Sequence, residues 1–262
     1  MSTFLTLARR DLLLTRSYRL ALPYDIGWGI VELLIYYFIS QVVGAPEESL
    51  GAAPSYFAFA LAGILMGLVI GSATGDIAER IREEELTGTL EMVVAQPVHA
   101  TRLALGYAVF PVVFALVRVV LYVLVSVLVL DLAADNADWL GFAVVLLASA
   151  LGFLALGIIA AAVTIVFKRG GTIAELGVFA MTFLGGALFP VSALPGWLEP
   201  LGNVMPTRFA FDGLRDALFA GSGWGPEAAL LLAIALVALP ASLWAFARAI
   251  ERAKRDGTLS QY

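Results

Sequence analysis

The sequence contains no cysteine, one histidine (His99) and only two lysines in 262 residues. Without cysteine there can be no disulfide, thiolate metal site or thiol nucleophile, and the redox compartment leaves no mark. A single histidine gives a paired-histidine metal centre or a Ser–His hydrolase almost nothing to work with. No GxxxxGK[ST] phosphate loop, HExxH or GxSxG motif is present, so the chain has no recognisable nucleotide site or hydrolytic centre. The Gly221-Ser-Gly223 stretch reads as a turn. Carboxylates at metal-ligand spacing are missing, and no metal or cofactor is expected in this chain. If ATP is involved, another polypeptide binds it. Charged residues are scarce, 14% of the chain, against about a quarter in soluble domains. A net charge of −5 argues against nucleic acid as a partner.

What is abundant is apolar surface: 61% hydrophobic residues and a mean hydropathy of +0.91. The apolar runs are of membrane length, without the short alternating segments of an outer-membrane barrel. The fold class is therefore an all-α polytopic membrane protein, a single transmembrane domain over 1–262. Residues 3–19 are amphipathic and basic. They suit either an interfacial helix along the membrane surface or a tail with snorkelling arginines. No cleavable signal peptide is expected, because the next apolar run is membrane-length.

Six spans follow, at about 22–43, 55–77, 104–130, 139–167, 172–189 and 227–247. Pro23 suits a helix start and Pro111 a kink. Between spans five and six, residues 190–226 carry Pro190, Pro195, Pro200 and Pro206. The helical stretches there, about 196–204 and 207–220, are too short to cross and suit re-entrant helices. With six spans, 13 of the 16 Lys/Arg fall on the face that holds both termini, and two, Arg208 and Arg215, on the other. The positive-inside rule then places both termini and loop 79–97 in the cytoplasm of a prokaryotic-type inner membrane. Internal repeats of 20–50 residues are not evident.

Three features can carry function. Gly63, Gly67, Gly71 and Gly75 recur every fourth residue. One helix face is then free of side chains, for close helix packing or for a hinge or substrate groove. Glu32 and Arg118 lie well inside spans, where a charge costs at least a few kcal/mol unless paired or hydrated. They either pair with one another or line a polar pathway. Third, residues 79–97 (ERIREEELTGTLEMVVAQP) are densely charged. Residues 83–94 can form a helix with Leu86, Leu90, Val93 and Val94 on one side, weakened at Gly88 by about 1 kcal/mol. That segment is either a docking element braced by a partner or a solvated hairpin.

Glu85-x-x-Gly88-Thr89-Leu90-Glu91 followed by Pro97 resembles the E-x-x-G-T-L-E…P signature of type-2 ABC transporter permeases, membrane subunits of ATP-binding-cassette exporters of the drug-resistance and lipid or polysaccharide type. Phe189-Pro190…Leu194-Pro195…Met205-Pro206…Asp212…Arg215 is similar to the same family's pattern before its last span. The resemblance implies that Glu85, Gly88, Thr89, Leu90, Glu91 and Pro97 form a coupling helix. That helix would dock on a nucleotide-binding ATPase subunit, which binds ATP and Mg. It implies short helices near 195–220 that plug the extracellular end, with Pro190, Pro195, Pro206 and Arg215 in that gate. It also implies a dimer with a second permease copy or paralogue, and a non-enzymatic subunit exporting an amphipathic, lipid-linked or drug-like substrate. Two other classes fit the residues alone: an ion-coupled secondary transporter using Glu32 and Arg118, and a membrane anchor recruiting a soluble partner through loop 79–97.

Overall fold

The structure, a computed structural model, describes residues 21–42, 49–89, 92, 99–167 and 170–256. The expected interfacial helix at 3–19 lies outside them. Among the described residues, all regular structure is helical: α1 (Ala21–Val42), α2 (Tyr56–Leu86), α3 (Ala100–Val129), α4 (Trp139–Phe167), α5 (Gly170–Leu184), α6 (Glu199–Val204), α7 (Pro206–Arg215) and α8 (Gly225–Asp256), with a 3-10 turn at Val191–Ala193 and a π turn at Asp216–Ala220.

Among the described residues, four helices are long and apolar enough to cross a membrane: Tyr56–Glu84, Ala100–Val129, Trp139–Ile165 and Gly225–Arg255. Of the six expected spans, α1 and α5 fall outside that group. Asp25 and Glu32 lower the hydropathy of α1, and α5 has 15 residues, about 22 Å.

The helices divide by environment. α2 packs against α1, α3, α4, α5 and α7, and α4 lies between α2 and α8. On α3, Val109, Val113, Val117, Val120, Leu124 and Leu128 are exposed at three- and four-residue spacing. The opposite face of α3 buries smaller or polar-tipped residues such as Ala104, Tyr107, Ala115 and Tyr122. Lipid is as apolar as leucine, so small residues mark the packed face and bulky ones the lipid face. Gly157 of α4 illustrates this: a Cβ there would stand 3.0 Å from the Cα of Thr74 and 3.1 Å from the carbonyl carbon of Ala73. Helical hydroxyls are satisfied locally, Thr74 donating to the carbonyl of Ile70 at 2.7 Å and Thr164 to that of Ala160 at 2.9 Å.

The largest departure from expectation is the length of α2. The sequence places a span ending near 77 and a separate charged loop. Instead the helix continues to Leu86, 31 residues in all or about 46 Å. Glu, Arg, Ile and Leu are good helix formers, and nothing between Asp76 and Leu86 breaks the pattern. The expected helix over 83–94 is likewise interrupted. Gly88 adopts φ +71°, the left-handed conformation that closes a helix after its last turn.

At the opposite end of the bundle, α5 stops at Gly185–Gly186, where Gly186 has φ +81°. The chain folds back through α6 and α7, with Pro200 and Pro206 in their first turns. These short helices match the expected stretches closely. A side-chain knot holds that end. Asp138 accepts from the backbone N–H groups of Leu140 and Gly141, both at 3.0 Å, capping α4, and from the Trp224 indole at 2.9 Å. Those bonds, Gly141 first, hold its carboxyl below the usual carboxylate range.

Candidate functional site

α2 links three places. The first is the turn after Leu86. The Thr87 amide and hydroxyl both donate to the carbonyl of Glu83, at 2.9 and 2.8 Å, and the Thr89 hydroxyl donates to that of Glu84 at 3.3 Å. These bonds satisfy carbonyls that a helix end leaves open. Leu86 and Met92 are exposed beside the turn, which places apolar side chains at the tip of a charged helix. One turn back, the buried Tyr107 hydroxyl of α3 donates to the Glu84 carboxylate. Leu90, Glu91 and Pro97 lie outside the described residues, and of Glu85 only its helical backbone is described.

The second place is a cavity of about 430 Å³ along the flank of α2, lined by Glu32, Gly67, Gly71, Asp76, Arg118 and Thr182 among others. Gly63 and Asp76 both line it, so it follows about 20 Å of the helix. A neighbouring cavity of about 360 Å³ shares Gly71, Asp76 and Thr182 with it and adds Glu175, Val178 and Phe179. Glu32 and Arg118, from α1 and α3, thus meet in one space. Among the described residues no ion pair joins them at contact distance, but the Arg118 charge reaches Glu32, Asp76 and Tyr122. The guanidinium also lies 5.5 Å from the Phe114 ring. Its Nε is buried and has no hydrogen-bond partner.

The glycine column splits in use. A Cβ on Gly63 would sit 2.7 Å from the carbonyl carbon of Ala187, a close backbone approach. At Gly67, Gly71 and Gly75 nothing lies within 4 Å; within this chain they are the open wall of the cavities. Asp76, absent from the sequence reading, is the charged residue that both cavities share among the described residues. It is ringed by protein atoms yet open to solvent through the mouth, and Ser72 one turn earlier offers it a hydroxyl.

The third place is the turn that leads into the expected plug, where Ala187 and Leu188 line the cavity. Arg215 ties that turn to α7. It is 4% exposed and donates to the carbonyls of Gly186 (2.8 Å), Ala187 (3.0 Å) and Phe59 (3.4 Å), and to Asp212 at 3.2 Å. Its guanidinium stacks 3.5 Å from the Phe59 ring centre. Burial lowers its pKa to about 10, offset in part by Asp212, so it remains charged at neutral pH. Tyr56 of α2 adds a bond to the Leu188 carbonyl at 3.1 Å. Next to this knot, burial and the charges of Glu227 and Asp212 raise Asp216 to about 6. Pro206 starts α7, Pro190 precedes the 3-10 turn, and Pro195 accepts from the amides of Leu198 and Glu199 at 2.8 and 3.2 Å.

The chain is 24% identical over 142 residues to ABC transporter G family member 20 of Dictyostelium discoideum. The match covers 54% of this chain and 19% of that protein, so the chain spans about a fifth of its curated relative. The family described as ABC-2 type transporter matches residues 27–219, well over half of the chain. The match takes in the cavity, the Gly88 turn and the plug, and on it the chain belongs to the ABC-2 type transporter family, as an integral membrane, transport component of an ABC transporter.

Proposed function

We propose that this chain is the permease subunit of an ABC exporter. It has six spans with both termini cytoplasmic, and works as a dimer with a second permease copy or paralogue. It moves an amphipathic, drug-like or lipid-linked substrate outward. ATP and Mg are bound by a separate ATPase subunit, which docks on the Gly88 turn and residues 85–97. The observation that carries the reading is the unbroken α2. One rigid helix bears the exposed turn, the charged cavity and the contact with the plug. A permease needs no catalytic group, only contacts that differ between two states. Arg215 and its three carbonyl partners make the outer gate, since opening the plug must part them.

Copurification tests this. The chain should bring down an ATPase bearing a GxxxxGK[ST] loop in fixed stoichiometry, and Gly88→Trp or Glu91→Arg should release it. Undiminished binding in both variants would end the coupling assignment. The charges in the cavity favour one alternative, an ion-coupled transporter. It would move substrate in vesicles with a proton gradient and no ATPase.

A further inference from the structure

The two cavities together are unequally charged. Glu32, Asp76 and Glu175 line them, and among the described lining residues Arg118 alone is basic. Just outside, Arg80 and Asp25 are both near enough to act on Asp76, one of each sign, which leaves the balance unchanged. Arg118 can neutralise one carboxylate. Asp76 and Glu175 remain, both exposed within this chain, and a charge at membrane depth needs a counter-ion or water. The remaining wall sets the hydroxyl residues Ser72, Thr74 and Thr182 beside apolar surface: Ile64 and Leu68, Val178 and Phe179, and three glycines with no atom within 4 Å of where a Cβ would stand. Each volume falls in the range of small-molecule sites, about 300–1,000 Å³.

From this geometry we infer that the cavity binds a lipophilic cation, with one protonated amine or equivalent charge seated at Asp76 and Glu32 and a flat apolar body against the glycine wall and Phe179. An anionic headgroup is disfavoured, because it would meet three carboxylates against one guanidinium. A neutral amphipath would leave the excess charge unmatched. The inference rests on the permease reading for its role as a transport site and names the substrate class of that site.

The test uses the full chain in detergent, without an ATPase, and two dyes of one ring system and opposite charge: rhodamine 6G, a cation, and fluorescein, an anion. Fluorescence polarisation should show saturable rhodamine binding and at least ten-fold weaker fluorescein binding. Asp76→Asn and Glu32→Gln should each weaken rhodamine ten-fold or more, Asp76→Glu should retain it, and Arg118→Gln should leave it equal or tighter. Gly71→Val closes the wall without changing charge and should weaken binding by a similar factor, so the inference stays testable if a charge variant misfolds by gel filtration. Fluorescein binding that Arg118→Gln abolishes would overturn the inference, as would rhodamine binding unchanged in both Asp76→Asn and Gly71→Val. Loss of the permease reading appears elsewhere, as failure to copurify an ATPase while dye binding persists.

Discussion

Gly63 and Gly67 are one helical turn apart on the same face, yet alanine at each should act in opposite directions. A methyl at Gly63 meets the carbonyl carbon of Ala187 at 2.7 Å and its Cα at 3.2 Å. Carbon–carbon contacts relax at about 3.5–4.0 Å, so α2 and the plug must part by roughly 1 Å. The Ala187 carbonyl accepts from Arg215 at 3.0 Å, and a shift of that size takes the bond beyond hydrogen-bonding range. Overpacking costs about 1–3 kcal/mol, and weakening a bond to a buried charge adds about 1.5–3 kcal/mol. Gly63→Ala should therefore destabilise by about 2.5–6 kcal/mol. At Gly67 the space is open, and alanine in a helix interior is favoured by about 0.5–1 kcal/mol over glycine. Gly67→Ala should be neutral or slightly stabilising. The assay is urea or thermal unfolding in one fixed detergent, read by tryptophan fluorescence, with both variants beside wild type. Equal destabilisation by the two would refute the argument and mean that the whole column is covered, for instance by a second copy.

Other outcomes follow from the same geometry. Gly88→Ala forces a side chain into φ +71°, a strain of about 1–2 kcal/mol, and should weaken ATPase copurification more than it lowers the unfolding midpoint. Arg215→Met leaves the Gly186 and Ala187 carbonyls without their donor; a loss of about 2–4 kcal/mol is expected, readable as a lower unfolding midpoint, and an unchanged midpoint would remove Arg215 from the knot. Asp216, raised to about 6, binds more protons folded than unfolded. Its contribution is complete below its ordinary value near 3.8 and lost as pH rises through about 6. Wild type should thus lose stability between pH 4 and 6.5 relative to Asp216→Asn, and parallel pH profiles would contradict this.

Helix ends and breaks were the most legible part of the sequence. Pro206 and Gly88 sit at a first turn and a left-handed position, where a missing N–H or a missing Cβ matters. The short helices before α8 could be read because 190–226 is too interrupted to span. The extension of α2 was not, because a charged run between apolar spans suits a loop, while Glu and Arg in series form helix as well as apolar residues do. Asp76 lies at the end of the expected span by sequence; because α2 runs on to Leu86, it stands mid-helix on the cavity wall instead. The sequence spacing placed the four glycines on one face. It could not distinguish Gly63, against a backbone, from the three that face space, because that depends on where α5 ends. The Tyr107–Glu84 bond joins residues 23 apart on two helices, and only tertiary packing brings them together.

Those contacts also limit how α2 can move. Gly157 grips it at Ala73, and Gly63 meets the plug. From Ala73 the Gly88 end is about 22 Å away and Gly63 about 15 Å the other way. With no proline inside α2, a displacement of about 2 Å at Gly88 that pivots on Ala73 produces about 1.4 Å at Gly63, enough to part Ala187 from Arg215. The lever works only if its driven end is stiff, and there the Tyr107 hydroxyl ties Glu84 of α2 to α3. Tyr107→Phe removes that tie while keeping the ring, at about 1.5–3 kcal/mol for a buried bond to a charge. The variant should still assemble with its ATPase and hydrolyse ATP, but move several-fold less substrate per ATP in proteoliposomes. An unchanged ratio of transport to hydrolysis would show that force does not pass through the α2–α3 contact, and the lever would have to be sought in residues 90–99 instead.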